Sequence, residues 1–151
     1  MLDQIQKNTP LYSYELGLTS ITEYGISLLD VLSNNRKIPV DGVRQDVHFS
    51  GTIKGDKING IIEGIDYMYI YPDATIELNI FATITTIENK NIALQATGVA
   101  LNTQTPGMFN VKQDIALQSN EEEFTWLNGK CITGEGQANL QDKKVLIQAF
   151  Y

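Results

Sequence analysis

The stretch that decides the fold is Thr75-Ile-Glu-Leu-Asn-Ile-Phe-Ala-Thr-Ile-Thr-Thr-Ile87. Its even positions, Ile76, Leu78, Ile80, Ala82 and Ile84, are apolar, while Thr75, Glu77, Asn79, Thr83 and Thr85 are polar, with Phe81 interrupting them. Side chains alternate across a strand, so this period of two makes one dry face and one face of different chemistry. The polar row reads as a solvent face or as the lining of a polar lumen.

Working outward, Glu88-Asn89-Lys90-Asn91 is a hairpin turn into Ile92–Leu101, and Thr105-Pro106-Gly107 is a turn into Asn110–Gln118. The acidic loop Glu121–Glu123 leads to Phe124–Thr133. Gly134 and Gly136 allow a bend or bulge, and Gln141-Asp142 turns the chain into Val145–Tyr151. On the N-terminal side, Asp46–Ile53 and Lys57–Glu63 form a hairpin about Lys54-Gly55-Asp56, and Ile65–Tyr71 is a tyrosine-rich strand stopped by Pro72-Asp73. Leu11–Leu18 is the first strand. Ser20-Ile-Thr-Glu23 then has the form of a capping box, and one short helix is predicted near Ile26–Ser33, ended by Asn34-Asn35 and Pro39. The reading is all-β: an antiparallel barrel of nine or ten strands in one domain over residues 1–151. Short connections force antiparallel neighbours, and closing so wide a sheet removes its edges, which favours a barrel over a two-sheet sandwich.

With 151 residues, 42% hydrophobic and 19% charged, the chain can bury a core without a disulfide or metal. The net charge is −7, the two arginines are Arg36 and Arg44, and the lysines are scattered. Phosphate backbones and anionic membranes bind through clustered cations, so neither nucleic acid nor membrane is an expected partner. Cys131 stands alone and reads as a packed, inert thiol. His48 has no second histidine, so no metal site is expected. No glycine cluster has dinucleotide or phosphate-loop spacing, no serine has a nucleophile-elbow setting, and no cofactor is expected. Residues Met1–Pro10 lack a signal-peptide core and no segment has membrane-spanning length, which makes the cytoplasm the expected compartment.

Asp66 is the candidate catalytic residue. On a straight strand it shares a face with Ile62, Gly64, Met68 and Ile70. A carboxylate in a buried row must be paired, hydrogen-bonded, neutral or at a cavity. It is therefore a general acid or base, a ligand anchor, or a carboxylate accepting backbone N–H bonds at a bulge beside Gly64. Arg44 and Asp46 share a strand face and read as a structural salt bridge or a clamp on a ligand carboxylate. Gln113 among Val111, Ile115 and Leu117, and Asn128 beyond Phe124 and Trp126, are polar groups seeded on apolar faces. They suit a ligand cavity or satisfy buried backbone groups. Tyr67, with Tyr69 and Tyr71, forms a stripe suited to core or interface packing, and Tyr67 and Trp126 are also candidate ligand contacts.

Gly42-Val-Arg44-Gln-Asp46, Phe49-Ser-Gly51, Gly60, Gly64-Ile-Asp66-Tyr67, Asp73, Thr85-Thr86, Ala96-Thr-Gly98, Trp126-Leu-Asn128 and Tyr151 follow one another in a familiar order and spacing. The run resembles a family of small bacterial β-barrel proteins catalogued as domain of unknown function 3237, over about Leu11 to Tyr151. The resemblance implies a barrel of lipocalin-like or allene-oxide-cyclase-like appearance and no established activity. Family members commonly carry an Arg before an Asp-Gly turn, where this chain has Tyr71-Pro72-Asp73-Ala74, and often an acid at the position of Asn79. Three functions fit: a small organic ligand held in the barrel, a cofactor-free isomerase, cyclase or hydratase using Asp66, or a homo-oligomeric interaction module presenting the tyrosine row.

Overall fold

The structure, a computed structural model, describes residues 9–33 and 36–151. The signal-peptide reading of Met1–Pro10 falls mostly outside them, as does the Asn34-Asn35 turn. Eight strands form a closed antiparallel meander: β1 Pro10–Glu23, β2 Val43–Lys54, β3 Gly60–Ile70, β4 Ile76–Thr86, β5 Asn91–Asn102, β6 Met108–Gln118, β7 Ile132–Asn139 and β8 Lys144–Phe150. Closure is made by β1, which pairs with β2 on one side and with β8 on the other, Tyr14 facing Ile53 and Ile147 respectively.

Eight strands replace the expected nine or ten through the merger of two segments, and one further segment is displaced along the chain. Lys57–Glu63 and Ile65–Tyr71 belong to one strand, β3, which runs through Gly64 with unbroken register against β2. The expected strand Phe124–Thr133 is displaced: Glu122–Leu127 is a 3-10 turn, and β7 begins only at Ile132 and runs on through Gly134 and Gly136. Three residues per turn place Phe124 and Leu127 on one side, and those two are buried. The helix is shorter than Ile26–Ser33: α1 spans Leu28–Leu32. Ser20–Glu23 does not open it, because β1 continues to Glu23 opposite Gln45, past a bulge between Leu18 and Ser20. The Glu23 carboxylate nevertheless accepts the Leu28 N–H at 2.8 Å, which satisfies one free donor at the start of α1.

The decisive stretch behaves as its alternation requires. Ile76, Leu78, Ile80 and Ile84 are buried in the barrel, and Glu77, Phe81 and Thr83 face outward, so the polar row is the outer wall. Walls this curved bring strands very close at inward positions. A Cβ on Gly136 would lie 1.8 Å from the Leu146 carbonyl oxygen, so only glycine fits there. The register of β7 with both neighbours is unbroken, so Gly136 serves close approach and not a bulge. The turn between β3 and β4 places Ala74 at φ +71°, a conformation that glycine adopts more readily.

One end of the barrel is filled by Ile58, Phe124 and Leu127. At the other, α1 lies across the mouth, with Leu28 and Val31 buried against the interior. Gln45 ties this cover down, its Nε2 donating to the Ile26 carbonyl at 2.9 Å. No helix among the described residues is long and apolar enough to cross a membrane.

Candidate functional site

Beneath α1 the barrel encloses a cavity with about 60 Å³ open to the centre of a water molecule. Its wall is apolar, with Leu16, Phe49, Met68, Leu78 and Val111 among the lining, and Leu28 contributes from α1. Two polar side chains, Asp66 and Gln113, also line it. On the scale where one water takes roughly 10–15 Å³, this is room for about four to six water-sized groups.

Asp66 reaches the cavity because the β3 row Ile62, Gly64, Asp66, Met68 faces inward. It is 9% exposed. The β3–β4 ladder runs without a break from Gly60–Thr86 to Asp66–Ile80 and resumes at Tyr69–Glu77. In the gap, Asp66 Oδ1 accepts the Asn79 N–H at 2.9 Å. The carboxylate thus completes a backbone pairing, as one reading of the sequence required, but at this opening and not at a bulge beside Gly64. Burial pushes the Asp66 carboxyl up to about 7, with the Asn79 N–H pulling it the other way. No cation acts on it among the described residues.

Gln113 is buried, and its Oε1 accepts the Tyr14 hydroxyl at 3.0 Å. That bond fixes the amide plane and leaves Nε2 for another acceptor. Tyr14 is raised above its ordinary value, chiefly by burial, and the Asp66 charge adds to the rise, so these groups feel one another. Tyr14 and Gln45 are two of the buried polar residues that the sequence reading did not single out. Both had the same signal: each sits at an i, i+2 position within an otherwise apolar row, Tyr14 beside Leu16 and Gln45 between Val43 and Val47.

The other expected site residues lie elsewhere. Arg44 and Asp46 stand on the outer wall, because the inward row of β2 is Val43, Gln45, Val47 and Phe49. Arg44 Nε meets Asp46 Oδ1 at 2.9 Å, and the Tyr24 hydroxyl donates to Asp46 Oδ2 at 2.6 Å. The guanidinium lies 5.3 Å from the Tyr24 ring centroid and 5.5 Å from that of Tyr67. Hydrogen bonding from Arg44, against the effect of burial, holds the Asp46 carboxyl below its usual value. Asp46, not Asp66, is the partner of Arg44, and neither reaches the cavity. Tyr67 packs edge-on to Phe81 on the same outer wall, at 6.1 Å. The tyrosine row is therefore not core: Tyr69 donates to the Asp41 carbonyl and Tyr71 to Glu77.

Trp126 and Asn128 belong to the opposite end of the barrel. Trp126 packs on Tyr151 at 5.5 Å with Lys57 Nζ 4.8 Å from its ring. The Asn128 amide bridges backbone: its Oδ1 accepts the Ser119 N–H and its Nδ2 donates to the Ser119 carbonyl, each at 2.9 Å. That is the backbone-satisfying role, not a cavity role. Cys131 is exposed, not packed, since β7 begins only after it. Among the described residues no cluster of His, Cys, Asp and Glu could hold a metal ion.

These features define a closed eight-stranded antiparallel barrel with an enclosed, largely apolar cavity and a buried carboxyl in its wall. Within that class, the chain belongs to the DUF3237 family, proteins of unknown function, whose sequence profile matches residues 41–151. Solved structures share the fold at low identity. A β-barrel-like protein from Acinetobacter baumannii is 18% identical, with a TM-score of 0.77 over 95% of this chain and 94% of that one. A protein of unknown function from Clostridium acetobutylicum is 16% identical, with a TM-score of 0.78 over 95% and 97%. An enzyme from Penicillium herquei is 17% identical, with a TM-score of 0.63 over 96% and 94%. No curated protein matches the chain.

Proposed function

We propose that the barrel binds a compact, mostly apolar organic molecule beneath α1, oriented by hydrogen bonds to Asp66 and Gln113. The observation that carries this reading is the cavity itself: an apolar chamber with two polar side chains in its wall. Apolar walls with a few placed polar groups are the general form of a small-molecule site. The chamber's size favours a molecule of a few heavy atoms over a long lipid chain. Ala100 lines the chamber, so Ala100→Leu fills space without adding charge. Native mass spectrometry of freshly purified protein, with thermal-shift screening of metabolite pools, should show a bound or stabilising compound that Ala100→Leu loses. Equal behaviour of wild type and the filled variant towards every stabilising pool would refute the proposal.

A second reading is a cofactor-free isomerase, cyclase or hydratase in which Asp66 moves a proton. It is favoured by a carboxyl held near neutral pH inside an apolar chamber, where a general acid or base works best. Gln113, held by Tyr14, would orient the substrate. The fold shared with an enzyme supports this only as analogy. Carbon-13 NMR titration of Asp66 tests it: an ordinary carboxylate value removes its basis.

A further inference from the structure

We infer that the molecule bound beneath α1 is a cation, a compact primary amine whose ammonium pairs with Asp66. The inference rests on the proposal that the cavity binds a small molecule, and it names the ligand's charge.

The geometry is one-sided. Among the described residues that line the cavity, Asp66 is the ionisable one. Its hydrogen bond among the described residues uses Oδ1, which accepts the Asn79 N–H, and among them the carboxyl meets no cation. The elements around Asp66 offer none either. Glu15, Arg44, Glu77, Lys112 and Asp114 are on outward rows, Asp46 is engaged with Arg44 and Tyr24, and His48 alternates with the inward Val47 and Phe49. Tyr14 is the titratable group near enough to sense Asp66. A carboxyl so placed repels anions and attracts a group that can donate and carry positive charge. The ammonium of a primary amine has three donors. Asp66 supplies one acceptor, and Gln113 Oε1, which already accepts from Tyr14, keeps a second lone pair.

Buried ion pairs often gain little because both partners lose water. Here the carboxyl is already out of water in the unliganded protein, so binding adds only the amine's share of that cost. The net charge of −7 favours approach of cations over anions.

The test uses three probes of one carbon skeleton, isopentylamine, isopentanol and isovalerate, each of about the size the chamber admits. Isothermal titration calorimetry at pH 6 and pH 8, in two buffers of different ionisation enthalpy, counts protons exchanged on binding. The ammonium needs Asp66 ionised. Amine binding should therefore release about one proton at pH 6 and a small fraction at pH 8. The amine should bind about tenfold tighter than the alcohol at pH 8. Isovalerate should not bind, and Asp66→Asn should lose the preference for amine while keeping the alcohol. The proton count on wild-type protein decides the matter even if that variant fails to fold. If the alcohol binds as tightly as the amine and takes up a proton at pH 8, the ligand accepts from a neutral carboxyl, and the cationic assignment falls while the cavity proposal stands. If none of the three binds or stabilises folded protein, both fall.

Discussion

Replacing Asp66 by Asn should stabilise the protein at alkaline pH and leave it nearly unchanged in mild acid. The carboxyl is held at about 7 in the folded barrel, against 3.8 in an ordinary setting. Between those values the folded protein binds one proton more than the unfolded chain, so stability falls as pH rises. At about 1.4 kcal/mol per pH unit, the interval carries about 4 kcal/mol. The loss begins above the unfolded value, near pH 4, and is complete once pH passes the folded value, near 7. Asn is neutral throughout, and its Oδ1 can still accept the Asn79 N–H that Asp66 holds at 2.9 Å. Urea denaturation of both proteins at pH 5, 6, 7 and 8 isolates this one group, because every other titration is common to the two and cancels in the difference. The variant's advantage should grow by about 2.6 kcal/mol from pH 5 to pH 8, or about 5–10 °C in melting temperature for a chain of this length. A difference that stays flat across that range would show that Asp66 titrates as an exposed carboxylate, and the reasoning from burial would be wrong.

Other substitutions probe the parts of the barrel separately. Arg44→Ala should lower stability little, since its guanidinium is half-exposed and its ion pair is screened by solvent, and should leave cavity binding unchanged. A loss of ligand affinity in that variant would contradict its place on the outer wall. Asn128→Ala should lower stability by about 1–3 kcal/mol by leaving both backbone groups of Ser119 without partners, read as a shift in urea midpoint. Gly136→Ala should cost about 1–3 kcal/mol or more, because its Cβ would be driven into the Leu146 carbonyl; a neutral result would mean the β7–β8 approach is looser than 1.8 Å implies. Ala74→Gly should raise stability by about 1 kcal/mol, because φ +71° is disfavoured for any residue with a Cβ, and differential scanning calorimetry would register it.

The barrel was legible where alternation was clean and turns were marked. Ile76 to Ile84 gave the inward row of β4, and Glu88–Asn91 marked the hairpin to β5, where Asn89 adopts φ +66°. Gly64 misled, because a glycine inside a strand reads as a break, whereas here it keeps the β3 row continuous beside Ala82. Phe124 and Trp126 misled because their spacing of two mimics a strand, while the buried pair, Phe124 and Leu127, has the spacing of a 3-10 turn. Asp66 and Gln113 were legible as polar groups on inward rows. Arg44 and Asp46 were legible as neighbours on one face, but which face turns inward depends on pairing with β1 and β3, and that parity is a long-range property. The role of α1 as a cover was not legible, because it depends on where the chain crosses the barrel mouth.

The joining of β1 to β8 sets a constraint on how the protein is made. As the first of the barrel's strands to be synthesised, β1 finds one lateral partner in β2 but must wait for β8, some 130 residues later, for the other. Until β8 arrives, two strand borders stand open with their amides unfilled, each a template for a neighbouring chain. Nascent chains halted within β7 or β8 should therefore be the sticky species during synthesis, and the pairing of β8 with β1 the moment at which that hazard ends.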